Sequence, residues 1–309
     1  MIAYDGSVYA DAALDDLLRA GLPRKAKALI VTVSDAFMKT SSPIAGNVGT
    51  ALRSRRVTSA IAVAKDQAVR LLAEARAFAS QARGRVVSHF PNWSVRTRVL
   101  EGLSSRELLR EAEQWQPDLI MVGSQGRSAV SRFLLGSVSK TLATDARSSV
   151  RVVRRTNETG KGALPRIMVG VDGSIGAERA VRSVGRRVWT EGTEVKIIAV
   201  DESVSPRRID RILPKAAELI RSSNEEAVRK ARQMSEWAAD ELRVIGLRVS
   251  VTMKKGEPQR ILLEESQKWN AEAVFVGSRG LDHPHKKLGL GSVAAQLVTN
   301  AICTVEIVR

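Results

Sequence analysis

The chain is poor in most of the side chains that announce catalysis or covalent cross-linking. It has one cysteine, Cys303, which excludes an intramolecular disulfide, and three histidines, His89, His283 and His285. No Ser-His-Asp, Cys-His or Glu-x-x-His arrangement can be built from three histidines so placed, so no catalytic residue is expected. His283 and His285 lack further ligands at suitable spacing, so the protein alone is expected to hold no metal. Aromatic residues make up only 4% of the chain, too few for the base-stacking platforms of a single-strand binder. No apolar run approaches the ~18–20 residues that a membrane span needs. The opening MIAYDGS has neither the basic region nor the apolar stretch of a signal peptide. A cytoplasmic protein with no membrane partner is the expectation.

What the chain does have is positive charge, 49 Lys and Arg against 33 Asp and Glu, for a net +16. Residues 1–155 hold 24 against 13, or +11, and the rest 25 against 20, or +5. The basic residues are scattered, the densest patch being Arg53, Arg55 and Arg56. Without a recognisable motif, this reads as a basic, solvated surface, and nucleic acid is not the expected partner.

The 309 residues suit two domains, and an internal repeat defines them. YDGSVYADAAL (4–14) matches VDGSIGAERAV (171–181), and LIMVGSQG (119–126) matches VFVGSRG (274–280). EGLSSRELLREAEQW (101–115) matches KGEPQRILLEESQKW (255–269) at an offset of 154. GSVSKTLATDARSSVRVVR (136–154) matches GSVAAQLVTNAICTVEIVR (291–309) at an offset of 155. The expected domains are 1–155 and 165–309, joined by a polar linker over 156–164.

Each unit alternates short apolar runs with helical patterns. Strands are predicted at 26–33, 93–100, 118–123 and 150–154 in the first copy, with the stub MIAY as its opening strand. In the second they fall at 167–171, 195–200, 247–253, 273–277 and 304–308. Helices are predicted between them, as over 60–80. Over 223–242, Ser223 and Glu226 form a capping box that predicts a helix start. Alternation of this kind implies a parallel sheet covered on both faces, with right-handed crossovers giving an open, doubly wound domain. The polar stretch 34–59 reads as a flap near the crevice, with a disordered segment the alternative. Cys303 lies in an apolar context and is expected to be packed, and Trp115 and Trp269, matched in the repeat, to be structural.

Ligands of doubly wound sheets sit beyond the carboxyl ends of the strands, where strand order reverses. Asp5-Gly6-Ser7 and Asp172-Gly173-Ser174 follow the first strand of each unit, and glycine loops follow the fourth. VGSQGRSAVSRFLLGS (122–137) has the spacing G-x2-G-x9-G-S. Glycines before a helix start serve either a turn or an anion cradle built from unpaired N–H groups and the helix dipole. Ser137 suits the N-cap. There is no Walker lysine, and a dinucleotide fingerprint would belong after the first strand.

The Asp-Gly-Ser, the glycine loop after the fourth strand and a short final strand within SSVRVVR together resemble the universal stress protein family, over both halves of the chain. The resemblance implies two tandem Rossmann-like domains, each a five-stranded parallel sheet of order 3-2-1-4-5 flanked by helices. It implies a crevice for ATP or another adenine nucleotide at the carboxyl ends of strands 1 and 4, with Asp5 toward the ribose or a Mg-bound phosphate and Val33 offering backbone groups to adenine. Gly123 and Gly126 would border ribose and phosphates, and Gly136, Ser137 and Val138 would hold the phosphates. The matching positions are Asp172, Val200, Gly277, Gly280, Gly291, Ser292 and Val293, with Asp172 the second candidate near Mg.

Two departures stand out. Ten residues separate Gly280 from Gly291 where the pattern has nine, so an added residue must be absorbed or must displace the loop. Only MIAY precedes Asp5, so the first strand is short or the natural start lies upstream. The intact loop makes the first unit the first place to look for ATP. The family also implies that the last strands pair, here unit to unit within the chain, with a further homodimer open. The expected role is a nucleotide-dependent stress-response binding protein. A slow nucleotide hydrolase or transferase, and a nucleotide-free scaffold for a partner or nucleic acid, are the alternatives.

Overall fold

The computed structural model describes residues 1–34, 55–127, 135–155, 164–203, 214–280 and 289–309. Most of the predicted flap, the linker from 156 to 163, and His283 with His285 lie outside them.

In chain order the first unit holds β1 (Ile2–Ala3), α1 (Val8–Asp16), β2 (Lys27–Ser34), α2 (Arg55–His89), β3 (Ser94–Glu101), α3 (Ser104–Trp115), β4 (Leu119–Gly123), α4 (Ser137–Asp145) and β5 (Ser149–Val153). The second repeats the scheme with β6 (Arg166–Val171), α5 (Ile175–Gly185), β7 (Glu194–Asp201), α6 (Pro214–Val244), β8 (Arg248–Lys255), α7 (Pro258–Lys268), β9 (Ala273–Gly277), α8 (Ser292–Asn300) and β10 (Thr304–Val308). All ten strands form one sheet, ordered β3-β2-β1-β4-β5-β10-β9-β6-β7-β8. Each half is thus 3-2-1-4-5, with parallel pairing inside each half and one antiparallel pair, β5 with β10, where the halves meet.

The central strands are buried on both faces, which is why β2 (KALIVTVS) is nearly continuous in apolar and β-branched residues. The outer strands carry charge, Arg96 and Arg98 on β3 and Arg248, Lys254 and Lys255 on β8, as suits a sheet edge that must not recruit another strand. One apolar core runs unbroken across the β5–β10 seam, packing Leu142 of α4 with Val150 and Val152, and Leu297 of α8 with Val305 and Ile307. On the opposite face there are two separate cores, one beneath α1 and α2 and one beneath α5 and α6.

Two local expectations need correction. The capping box at Ser223 opens no helix, because α6 already runs from Pro214, so Ser223 lies inside it. α2 likewise begins at Arg55, within the stretch read as flap. Among the described residues the buried positions of these helices begin at Ala75 and Ala231, so each start is an extension propagated from a packed C-terminal half rather than set by a local signal.

Cys303 is buried in the shared core, and burial pushes its thiol up to about 11, with the Ser266 hydroxyl among the groups pulling it only partway back. An acid whose folded pKa is raised stabilises the fold below its unfolded value and loses that contribution as pH rises through the folded one. From an unfolded value near 9.0, stability should therefore decline between about pH 9 and 11, by roughly 3 kcal/mol. Denaturant titrations across that range should show a steeper decline for the chain than for Cys303→Ala, in which Tyr4, also pushed up by burial, still titrates. A thiol reagent at pH 8 should react with the native chain only as fast as it opens.

Candidate functional site

Each Asp-Gly-Ser folds into the same small device. Asp5 Oδ1 accepts the Ser7 amide at 3.0 Å and Asp172 Oδ1 accepts that of Ser174 at 2.9 Å, closing a turn over Gly6 and Gly173. Both glycines have positive φ, +77° at Gly6 and +84° at Gly173. That is the left-handed region in which only glycine avoids a steric cost. Ser7 and Ser174 then cap α1 and α5, each hydroxyl accepting a backbone N–H (Ala10, Ala177) at 3.1 Å. The serines serve the fold, and the aspartates are held at the strand ends.

The two glycines of the G-x-x-G part company in role. A Cβ on Gly123 would stand 2.6 Å from the Tyr9 carbonyl, and one on Gly277 would stand 2.5 Å from the Gly176 backbone. These positions let the first helix of each unit press against the fourth strand. A Cβ on Gly126 would instead meet Asp5 Oδ2 at 3.0 Å, and one on Gly280 would meet Asp172 Oδ2 at 2.5 Å. The second glycine therefore brings bare backbone up to the carboxylate, joining the two motifs at one crevice in each unit.

The third glycine is itself the N-cap. Gly136 and Gly291 precede α4 and α8 in extended conformation with no side-chain cap bond, so Ser137 and Ser292 are the first helical residues and lie exposed. This corrects the expectation that Ser137 is the cap. A glycine at this position brings no side chain to cap the helix-opening N–H groups. The added residue does not disturb this geometry: Gly136 donates its amide to Ser124 O at 2.8 Å, and Gly291 donates to Ser278 O at the same distance. Just upstream of Gly291, Gly289 takes a φ of +97°, and residues 281–288 lie outside the described residues. The units differ just inside the helix, where Ser139 bonds Ser124 O at 2.9 Å and its counterpart Ala294 makes no such tie.

In the second unit these parts enclose a cavity of ≈ 440 Å³. Asp172, Val200, Gly277, Gly280, Gly291, Ser292 and Val293 all line it. Asp201, Ser203 and Arg279, which the sequence reading passed over, line it too. Asp201 follows Val200 as the last residue of β7. Burial would raise its carboxyl, but hydrogen bonds from the Ser203 hydroxyl and amide, with Lys255 nearby, bring it below its ordinary value. The cavity thus has acidic groups at the ends of β6 and β7, with Arg279 and the N-terminus of α8 also on its wall. In the first unit, Asp5, Gly126, Gly136, Ser137 and Val138 take the matching places, and Val33 is buried at the end of β2, while 35–54 and 128–134 lie outside the described residues. Among the described residues no cluster of His, Cys, Asp and Glu could hold a metal ion, and no helix is long and apolar enough to cross a membrane.

Comparison with known proteins agrees with this architecture. A universal stress protein from Mycolicibacterium smegmatis is 27% identical over 216 residues, 70% of this chain and 69% of that protein. One from Mycobacterium tuberculosis strain H37Rv is 28% identical over 198 residues, 63% of this chain and 59% of its own length. The crystal structure of a universal stress protein from Archaeoglobus fulgidus superposes with a TM-score of 0.58, covering 100% of this chain and 97% of that one, at 18% identity. The model of the Universal stress protein family matches residues 1–154 and again 164–309. With that model matched once by each unit, the chain belongs to the universal stress protein family.

Proposed function

We propose that the chain is a nucleotide-dependent stress-response binding protein that takes ATP in the crevice of its second unit, and in the matching crevice of the first. The observation that carries this reading is the cavity of ≈ 440 Å³. Its size falls in the range of small-molecule sites, and strand ends and a glycine-capped helix N-terminus line it. Gly280, Gly291 and Ser292 would take the phosphates through backbone N–H groups and the Ser292 hydroxyl, with Arg279 adding charge. Asp172 would face the ribose or a Mg ion carried in with the phosphates, and Val200 would meet the base with its backbone. These residues bind and orient; none is assigned a bond-breaking role.

Calorimetric titration of ATP with Mg is expected to show binding. Asp172→Asn should weaken it at least about tenfold, as loss of a charge-assisted hydrogen bond would. Asp5→Asn in the same titration reports on the first unit. Absence of heat with ATP, ADP and AMP on the unaltered chain would sink the reading. Steady phosphate release faster than about one per minute would favour the hydrolase alternative instead.

A further inference from the structure

The seam between the units contains a row of buried charges. Arg151 of β5 and Glu306 of β10 lie opposite each other in the antiparallel register, with side-chain exposures of 1% and 0%. Arg151 Nη1 donates to Glu306 Oε2 at 3.1 Å, and its Nε and Nη2 donate to Asp16 at 2.5 and 3.1 Å. Glu306 accepts in turn from Arg187, whose other nitrogen bonds Ala20 O at 2.6 Å. The order through the interior is Asp16, Arg151, Glu306, Arg187, with alternating sign. Asp16 and Arg151 belong to the first unit, Glu306 and Arg187 to the second.

Besides an ion pair of Arg19 with Glu272, the seam contains a symmetric pair of contacts. Arg154, just after β5, donates to Val298 O and Thr299 O at the end of α8, both at 2.7 Å. Arg309, its partner in the repeat, donates to Ala143 O and Thr144 O at the end of α4. These contacts, and the apolar core beside them, would form equally well between two copies of either unit. The central position differs. Residues 151 and 306 are repeat counterparts, separated by the same offset as the rest of that segment, and they face each other across the local two-fold. Two first units joined at this edge would set arginine against arginine, and two second units glutamate against glutamate, in a place closed to water. Each unit already carries one charge of each sign, so the discrimination lies in the order of the row, not in its sum.

We propose that this row is a recognition element that commits the edge strand of each unit to the unlike unit and rejects a second copy of the same unit. Its occupant is the chain's own other half. The row specifies partner choice in the way polar groups at coiled-coil cores specify register.

Variants of the full chain with the same charges in a different order test this. Exchanging Glu306→Arg with Arg187→Glu keeps a pair of opposite sign within the second unit but puts two positive charges at the centre. It should lower the thermal midpoint by roughly 10 °C and cut hydrogen-exchange protection of β5 and β10 about 100-fold. Adding Arg151→Glu and Asp16→Arg restores the alternation in reverse and should recover at least half of both losses. A two-residue exchange indistinguishable from the parent, or a four-residue exchange no better than the two-residue one, would overturn the proposal. If the exchanged chains do not fold, Arg151→Gln, Glu306→Gln and the pair together decide: a coupling of at least about tenfold in the unfolding equilibrium is expected, and additive effects would refute it.

Discussion

Gly277→Ala is expected to destabilise the chain by about 3 kcal/mol, the upper end for an added methyl in a packed interior. The new Cβ would stand 2.5 Å from the backbone of Gly176, so α5 itself must move off the sheet, and a helix held by a packed apolar face moves only at the expense of its other contacts. Gly123→Ala should behave alike, because the obstacle there is the Tyr9 carbonyl. Gly280→Ala makes the instructive contrast. Its Cβ meets only the carboxylate tip of Asp172, which can rotate. Stability should then stay within about 1 kcal/mol of the parent while nucleotide affinity falls. Chemical denaturation of the three variants, with titration of ATP, checks the division. Equal stabilities for Gly277→Ala and Gly280→Ala would show that the two glycines do not divide the work as their surroundings indicate.

That division also shows where sequence stops being readable. A glycine three residues from another looks the same whether it admits a helix backbone or bares an amide toward a carboxylate; only the neighbour across the fold separates them. The fold itself was legible, because alternation of strand and helix within a unit used twice leaves few topologies open, and β9 and β10 fall on the predicted residues. Strand ends slipped by a residue or two elsewhere, and α6 swallowed the Ser223 capping signal, since a helix propagating from its packed half beyond Ala231 runs through one cap. The aspartates and glycine loops were found from their place after strands 1 and 4. Asp201 and Arg279 were not, as a single polar residue after a strand carries no pattern. The charge row was visible as Arg151 aligned with Glu306, but its meaning depends on the two strands being neighbours, which sequence spacing does not state.

Phe275→Ala is the second substitution expected to act strongly. Among the described residues Phe275 is the largest apolar side chain fully shut from solvent, at 0% exposure, at the middle of β9. Its removal deletes a ring from the core beneath α5 and α6, where close neighbours leave little room for collapse. Truncations of this kind cost about 3–5 kcal/mol. The ring does more than fill space. The guanidinium carbons of Arg187 and Arg151 stand 4.8 and 5.7 Å from its centroid, and the Trp189 ring meets it edge-on at 6.3 Å. Burial pulls the Arg187 guanidinium below its ordinary pKa against the pull of Glu306. A π face beside it therefore offsets part of the cost of keeping that charge inside. Phe275→Leu separates the two contributions, since it keeps most of the volume and removes the face. If packing alone matters, the leucine variant should lose less than about 1.5 kcal/mol. With the arginines depending on the ring, it should lose about 2–3 kcal/mol, and a further Arg187→Met should then cost less than the same change in the parent chain. Thermal and urea unfolding of the four chains gives that cycle, and strict additivity would remove the aromatic face from the account of how the seam keeps its charges buried.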